Sequence, residues 1–192
     1  MNHEIKFNLF LVICAVFIIG LACGGSNQQA EANKLVGDAN KKLNEAKELL
    51  TKTEGRNKKL FSANIQTSAE LAEYKKEKSD EAKLIAGDYE KVAESLKEIS
   101  KMFDDVSRMN LNEKYKEYAK LRSDEYALRA EAVSVRKGNA QAFIEIDDHQ
   151  RMTKKFDENN TKSDKLFIQS DEIAAKAKRL EDENRALFID LN

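Results

Sequence analysis

The segment 82–106, AKLIAGDYEKVAESLKEISKMFDDV, decides the fold of this chain. Its apolar residues recur at alternating steps of three and four, which places them on one face of an α-helix and forms a packing seam. The seam comprises Ala82, Ile85, Tyr89, Val92, Leu96, Ile99, Phe103 and Val106. Gly87 lies off this face, where it lowers helix propensity by roughly 1 kcal/mol relative to alanine. The segment therefore predicts one long helix that packs against another.

Seams with the same spacing lie on both sides of this segment. The N-terminal seam is Ala32, Val36, Ala39, Leu43, Ala46 and Leu50. Because half of its members are alanine, it predicts either close helix approach or weak packing. The C-terminal seam is Met152, Phe156, Asn159, Ser163, Leu166, Ser170, Ile173, Ala177, Leu180, Asn184, Leu187 and Leu191. Its asparagines and serines predict a less stable seam in which polar contacts fix the register.

A looser apolar stripe lies between these seams. It consists of Tyr115, Tyr118, Leu121, Leu128, Ala132 and Val135. Its tyrosines, together with Tyr126, alternate with basic residues at Lys114, Lys116, Lys120 and Arg122. Aromatic and basic side chains suit a contact surface for a protein or a sulfated sugar. The favoured interpretation is that the tyrosines cover the seam, while the lysines are solvated beside Glu113 and Glu117.

The composition favours helices and argues against several functional classes. The chain has no proline, only 7 glycines, and 35% charged residues. Its net charge is −1, with both signs interleaved and no block of five like charges, so nucleic acid is not an expected partner. High charge can also indicate disorder, but the regular apolar spacing argues for folded helices. The expected fold class is all-α.

The positions of the turns leave two architectures open. Residues 108–113 predict a turn near 109–112, where Asn110 or Asn112 can cap the next helix. If this is the sole turn, the chain forms a long antiparallel coiled-coil hairpin with helices of about 120 Å. If the sequence also turns near Gly55, Gly138 or Asn159, the seams fold into an elongated helical bundle. The bundle is favoured because these breaker signals coincide with weakened seams.

The N-terminal segment carries the chain's long apolar run. Thirteen consecutive apolar or glycine residues extend from Leu9 to Leu21, after a short polar segment that contains Lys6. This length matches the core of a secretory signal peptide and falls short of the roughly 20 residues that span a bilayer. The run therefore predicts export, with an uncleaved membrane anchor as the alternative.

The end of this run, Gly20-Leu21-Ala22-Cys23, resembles the lipobox of bacterial lipoproteins. The resemblance implies cleavage after Ala22 and lipidation of Cys23. Gly20 stands where an aliphatic residue is usual, a departure that the lipoboxes of spirochaete lipoproteins accept. Cys14 would leave with the signal peptide, so acylation also explains the one cysteine that remains. Two or more acyl chains hold a protein firmly on a membrane.

The predicted organisation is therefore a signal peptide at 1–22, a flexible tether at 23–29 and a single helical ectodomain at 30–192. Small and polar residues follow Cys23, as suits a flexible leash.

No catalytic, cofactor-binding or metal-binding residue is expected from the sequence. His149 follows Asp147 and Asp148, but neighbours on a helix point in different directions, so a solvated helix face is favoured over a metal site. Gly-rich phosphate loops and Ser/His/Asp groupings are absent from the sequence. An enzyme is therefore not expected.

The functional expectation is a lipoprotein, anchored in the cell envelope through its N-terminal lipid, whose ectodomain binds a protein or glycan. In type it resembles the helical surface lipoproteins of spirochaetes, which implies the outer membrane surface. The alternative is a periplasmic structural or spacer lipoprotein. Murein lipoproteins are similar lipidated heptad helices but usually end in lysine, whereas this chain ends in Asn192. The heptad seams are also compatible with self-association.

Overall fold

The computed structural model describes residues 26–188, and all regular structure in this part of the chain is helical. The helices are α1 (Ser26–Leu60), α2 (Ser68–Ser107), α3 (Glu113–Glu145), α4 (His149–Glu183) and the short α5 (Arg185–Phe188). The all-α prediction is confirmed. The predicted signal peptide 1–22 and Cys23 lie outside the described residues.

The four long helices pack as an antiparallel bundle. α2 and α3 form its centre, α1 packs against α2, and α4 packs against α3. The ion pairs Lys42–Glu98 and Arg56–Asp88 join α1 to α2 in opposite residue order, as antiparallel neighbours require. The hairpin alternative is wrong, because α2, with 40 residues, extends about 60 Å rather than about 120 Å.

The turn predicted near 109–112 is confirmed, but the other predicted breaks are wrong. Gly55, Gly138 and Asn159 all lie inside helices, while the chain turns at 61–67 and 146–148. A glycine inside a helix costs only about 1 kcal/mol, which packing offsets.

Capping side chains mark where the helices begin. Thr67 and Glu70 form a capping box at the start of α2. Asn112, one of the two predicted caps, accepts from Lys114 N at 2.9 Å to begin α3. Asp148 accepts from Arg151 N at 2.8 Å to begin α4. Each cap satisfies a backbone N–H that the helix leaves unpaired.

The seam in 82–106 forms the core of α2, as predicted. All eight residues are at most 5% exposed, and the chain's own helices cover them. The stripe predicted for α3 is correct only in part, because Leu121, Leu128 and Val135 are half-buried. A central helix buries two faces, one against α2 and one against α4. The fully buried apolar positions include Tyr126, Ala130, Val133, Ala140 and Phe143.

The two outer helices bury small side chains. In α1, one position per heptad is fully buried, namely Ala32, Ala39, Ala46, Thr53 and Leu60. In α4, Ser163, Ser170 and Ala177 are 0% exposed. The predicted polar seam is therefore present as far as Leu180, whereas Leu187 is 40% exposed and Leu191 lies outside the described residues.

The N-terminal boundary of the bundle differs from the prediction. α1 begins at Ser26, so residues 26–29, predicted as part of the tether, form its first turn. Gln28 Oε1 also accepts a hydrogen bond from Asn110 N at 2.7 Å, which fixes this turn against the 108–112 connection. Glutamine and alanine favour helix, so α1 continues N-terminal to its first seam residue.

Candidate binding surface

The antiparallel order gives the bundle two ends with different connections. The proximal end holds the start of α1, the 108–112 connection and the end of α4. The distal end holds the 61–67 and 146–148 connections. Cys23, the predicted lipidation site, precedes the proximal end in sequence and lies outside the described residues.

Lys75 fixes the 146–148 connection from α2. Its ammonium donates to the carbonyl oxygens of Ile144 at 3.3 Å and Ile146 at 2.9 Å, and to Asp147 Oδ1 at 2.8 Å. The side chain is buried, and a cation suits the negative end of the α3 dipole. This ammonium also lowers the pKa of the Asp147 carboxyl. Lys75, on the neighbouring helix α2, therefore caps the C-terminal end of α3.

The 61–67 connection is held by the start of α2. Glu70 Oε2 accepts from the backbone N–H groups of Gln66 at 2.8 Å and Thr67 at 3.1 Å. These donors lower the pKa of the Glu70 carboxyl. Ser68 Oγ accepts from His149 N at 3.0 Å and so joins the two distal connections.

The distal end consequently presents a fixed, solvent-exposed surface. Phe61 anchors this surface to the core of the bundle, with its ring 4.7 Å from that of Phe156 and 5.8 Å from that of Phe143. Its exposed side chains are Ser62, Ala63, Asn64, Gln66, Asp147 and Asp148. We refer to these six residues as the distal surface.

The carboxylates beside His149 have structural partners. Asp147 pairs with Lys75, and Asp148 caps α4. Among residues 26–188, no three His, Cys, Asp or Glu side chains converge to hold a metal ion. Both aspartates therefore have structural roles at helix ends, Asp147 at the end of α3 and Asp148 at the start of α4.

The tyrosine cluster covers the seam rather than forming a contact surface. Tyr115, Tyr118 and Tyr126 are at most 8% exposed, and burial raises the pKa of the Tyr115 phenol. The lysines beside them pair as expected, with Lys114 2.9 Å from Glu117 and Lys116 2.8 Å from Glu113.

Arg122 departs from the expected pattern because it is buried. Its guanidinium donates to Glu125 Oε2 at 2.6 Å and to Tyr126 Oη at 2.7 Å. Glu125 Oε1 also accepts from Arg129 Nε at 2.9 Å, and Arg129 reaches Asp171 of α4 at 2.7 Å. This network satisfies a buried charge and extends from the core of α3 to α4.

Arg136 joins three helices at a polar junction. From α3, its guanidinium donates to Glu54 of α1 at 2.5 Å and to Ser163 of α4 at 3.0 Å. It also lies 3.4 Å from Asp164 and stacks on the Phe167 ring at 4.8 Å. The arrangement can fix the relative positions of α1, α3 and α4.

Two further features extend this junction. Asn139 donates to Asn160 at 2.8 Å and accepts from Asn159 at 2.9 Å. Gly138 allows this close approach, because a Cβ there would lie 2.9 Å from Asn159 Nδ2. On α2, burial raises the pKa of the Tyr89 phenol.

The outer face of α4 carries a shallow depression open to solvent, lined by Lys154, Asp157, Glu158, Thr161, Lys162 and Lys165. Its lining residues are five charged side chains of both signs and one threonine, which line it largely through their aliphatic stems. A small-molecule site is normally concave and mostly apolar. The depression therefore has the character of a solvated helix face.

Comparisons with protein-family models, with curated proteins and with solved structures each found no match. Among residues 26–188, no helix combines the length and apolarity needed to cross a bilayer.

Sequence reasoning missed two buried cations, Lys75 and Arg122, and the half-buried Arg136. The partners of Arg122 could have been predicted from the sequence, since Glu125 and Tyr126 lie three and four residues further along the same helix. The partners of Lys75 and Arg136 could not, because they lie far away in sequence. The 136–139 segment instead resembled a helix C-terminus, with basic residues before a glycine.

Proposed function

We propose that this chain is a bacterial lipoprotein, held on the membrane by acylated Cys23, whose non-catalytic ectodomain binds a protein or glycan at the outer surface. The observation that carries the proposal is the sequence Gly20-Leu21-Ala22-Cys23 at the end of an apolar run too short to span a bilayer.

The position of α1 supports a defined orientation on the membrane. Cys23 precedes Ser26 by three residues, so the two Cα atoms lie at most about 11 Å apart. α1 has 35 residues and extends about 52 Å away from that point. An anchor at Cys23 would therefore keep the proximal end close to the lipid and let the distal surface extend about 52 Å farther away.

The distal surface suits binding because it is fixed before a partner arrives. Lys75, Glu70 and Ser68 hold its backbone through hydrogen bonds, so little ordering is left to oppose association. Its exposed amide, hydroxyl and carboxylate groups offer polar contacts of the kind found in protein and glycan recognition. The charged groups around Arg122 and Arg136 are engaged in contacts within α3 and with α1 and α4.

The anchor is tested by Cys23→Ala in cells fed a labelled fatty acid. We expect loss of the label and release of the protein from the membrane fraction. Cys14→Ala is the matched control, because that cysteine leaves with the signal peptide and its loss should change neither result. Label retained by the Cys23→Ala variant would contradict the proposal, and membrane retention without label would indicate an uncleaved anchor.

The membrane face is tested by adding protease to intact cells, with a known periplasmic protein as the internal control. We expect the ectodomain to be degraded while the control survives. Survival of both until the outer membrane is opened would support the periplasmic structural lipoprotein instead.

A further inference from the structure

The contacts that hold α4 differ in kind from those at the centre of the bundle. The fully buried side chains of α4 are small, and the hydroxyl of Ser170 bonds to its own helix at Phe167 O, 2.8 Å away. The larger buried side chains of α4, Met152, Leu166 and Leu180, are 5–9% exposed, so α4 buries fewer large apolar groups than the seam of α2 does. Less free energy therefore opposes separation here than at the α2 seam.

Polar contacts supply much of the connection between α3 and α4. Arg136 and Asn139 form one group of hydrogen bonds with α4, and Arg129 forms another with Asp171. Lys162 adds an ion pair with Glu131 at 3.1 Å. Water can replace each of these contacts when the helices separate, so each opposes opening by less than its strength in the closed bundle.

The connection before α4 provides a hinge. Ile146 and Asp148 have extended backbone conformations, with φ/ψ of −103°/111° and −82°/120°. Lys75 holds the Ile146 carbonyl and Asp147 on the side of α2, so the hinge keeps its attachment to the remaining helices. α4 packs on α3 and meets α2 at few positions. Its opening also separates the Phe156 ring from Phe61 and the His149 N–H from Ser68.

We infer that α4 opens from the bundle as a unit about residues 146–148, and that Arg136 controls how often it does so. Arg136 holds α4 through Ser163 and Asp164 while Glu54 of α1 fixes the same guanidinium. Opening exposes a polar face of α3 that carries Arg129, Arg136 and Asn139. This property concerns the folded ectodomain and does not depend on lipidation.

Native-state hydrogen exchange at increasing urea tests the inference, with peptides resolved by mass spectrometry. In the unmodified protein, we expect amides in 149–183 to exchange through an opening that needs less free energy than the opening of 82–106. Equal opening free energies in the two segments, or opening of α1 before α4, would overturn the inference. This measurement needs no variant and remains decisive if a variant fails to fold.

Arg136→Met then tests the role of the guanidinium. We expect exchange in 149–183 to rise at least about ten-fold, with less than about two-fold change in 82–106, since charged hydrogen bonds are lost at one seam only. Arg136→Lys should restore part of the protection. Lys137→Met is the matched control, because its ion pair with Glu90 joins α3 to α2 and its loss should leave α4 unchanged. A uniform rise along the chain in the Arg136→Met variant would show a merely structural role and overturn the control by Arg136.

Discussion

α3 makes two seams of unlike chemistry. Towards α2 it meets large apolar side chains, and the rings of Phe103 and Tyr126 stack 5.7 Å apart. Towards α4 it meets Ser163 and Ser170, which are as completely buried as Ile99 on α2. The buried fraction of a side chain therefore does not by itself show how strongly its helix is held in the bundle. The apolar volume at the first seam stabilises the fold, whereas the directed hydrogen bonds at the second fix the register of α4.

The largest effect is expected from a substitution that disrupts the α2–α3 seam. Ile99→Asp should destabilise the helical bundle by about 3–5 kcal/mol, because it buries a charge without a partner and removes a 0%-exposed side chain. Urea unfolding followed by circular dichroism measures the loss. Lys97→Asp, at an exposed position of the same helix, should change stability by less than about 1 kcal/mol. An unchanged midpoint for Ile99→Asp would mean that this face has been assigned wrongly.

An intermediate effect compares the same substitution at both seams. Leu96→Ala should cost about 3 kcal/mol and Leu166→Ala about 2 kcal/mol, since these leucines are 5% and 9% exposed. Hydrogen exchange should place the Leu166→Ala effect mainly in 149–183, while Leu96→Ala should increase exchange throughout the bundle. If Leu166→Ala proved the more costly, or acted equally on all helices, the contrast between the seams would fail.

The smallest expected effect compares two glycines. Gly87→Ala should stabilise the protein by about 0.5–1 kcal/mol, because alanine favours helix and a Cβ meets nothing within 4 Å. Gly138→Ala should gain less, because its Cβ would displace the Asn159 amide from Asn139. Midpoints of urea unfolding measure both changes. Equal gains at the two positions would indicate that the Asn139–Asn159 contact contributes nothing.

The two ends of the bundle also differ, in the hydrogen bonds that hold their connections. At the proximal end, one hydrogen bond joins Gln28 to the 108–112 connection. At the distal end, Lys75, Glu70 and Ser68 fix both connections. The fixed end is also the end that an anchor at Cys23 would hold away from the membrane. Under the proposed function, the partner therefore meets the end whose connections Lys75, Glu70 and Ser68 hold in the closed bundle.

The sequence by itself determined the helical class, the α2 seam, the polar character of the α4 seam and the turn at 108–112. Each of these depends on residues three or four apart, or on a cap within one helical turn, so local spacing is enough. The lipidation prediction at Cys23 has the same local character. The buried Arg122 could have been found in this way too, through its partners at Glu125 and Tyr126.

Only the tertiary structure decided the remaining turns, the second buried face of α3 and the distal surface. Lys75 reaches a carbonyl 71 residues away, and Arg136 reaches Glu54 across 82 residues. The sequence around Lys75 or Arg136 does not predict such contacts, because they form only after helices from distant parts of the chain have packed. For the same reason, Gly55 and Gly138 resemble breaks in the sequence yet lie inside helices that their neighbours hold together.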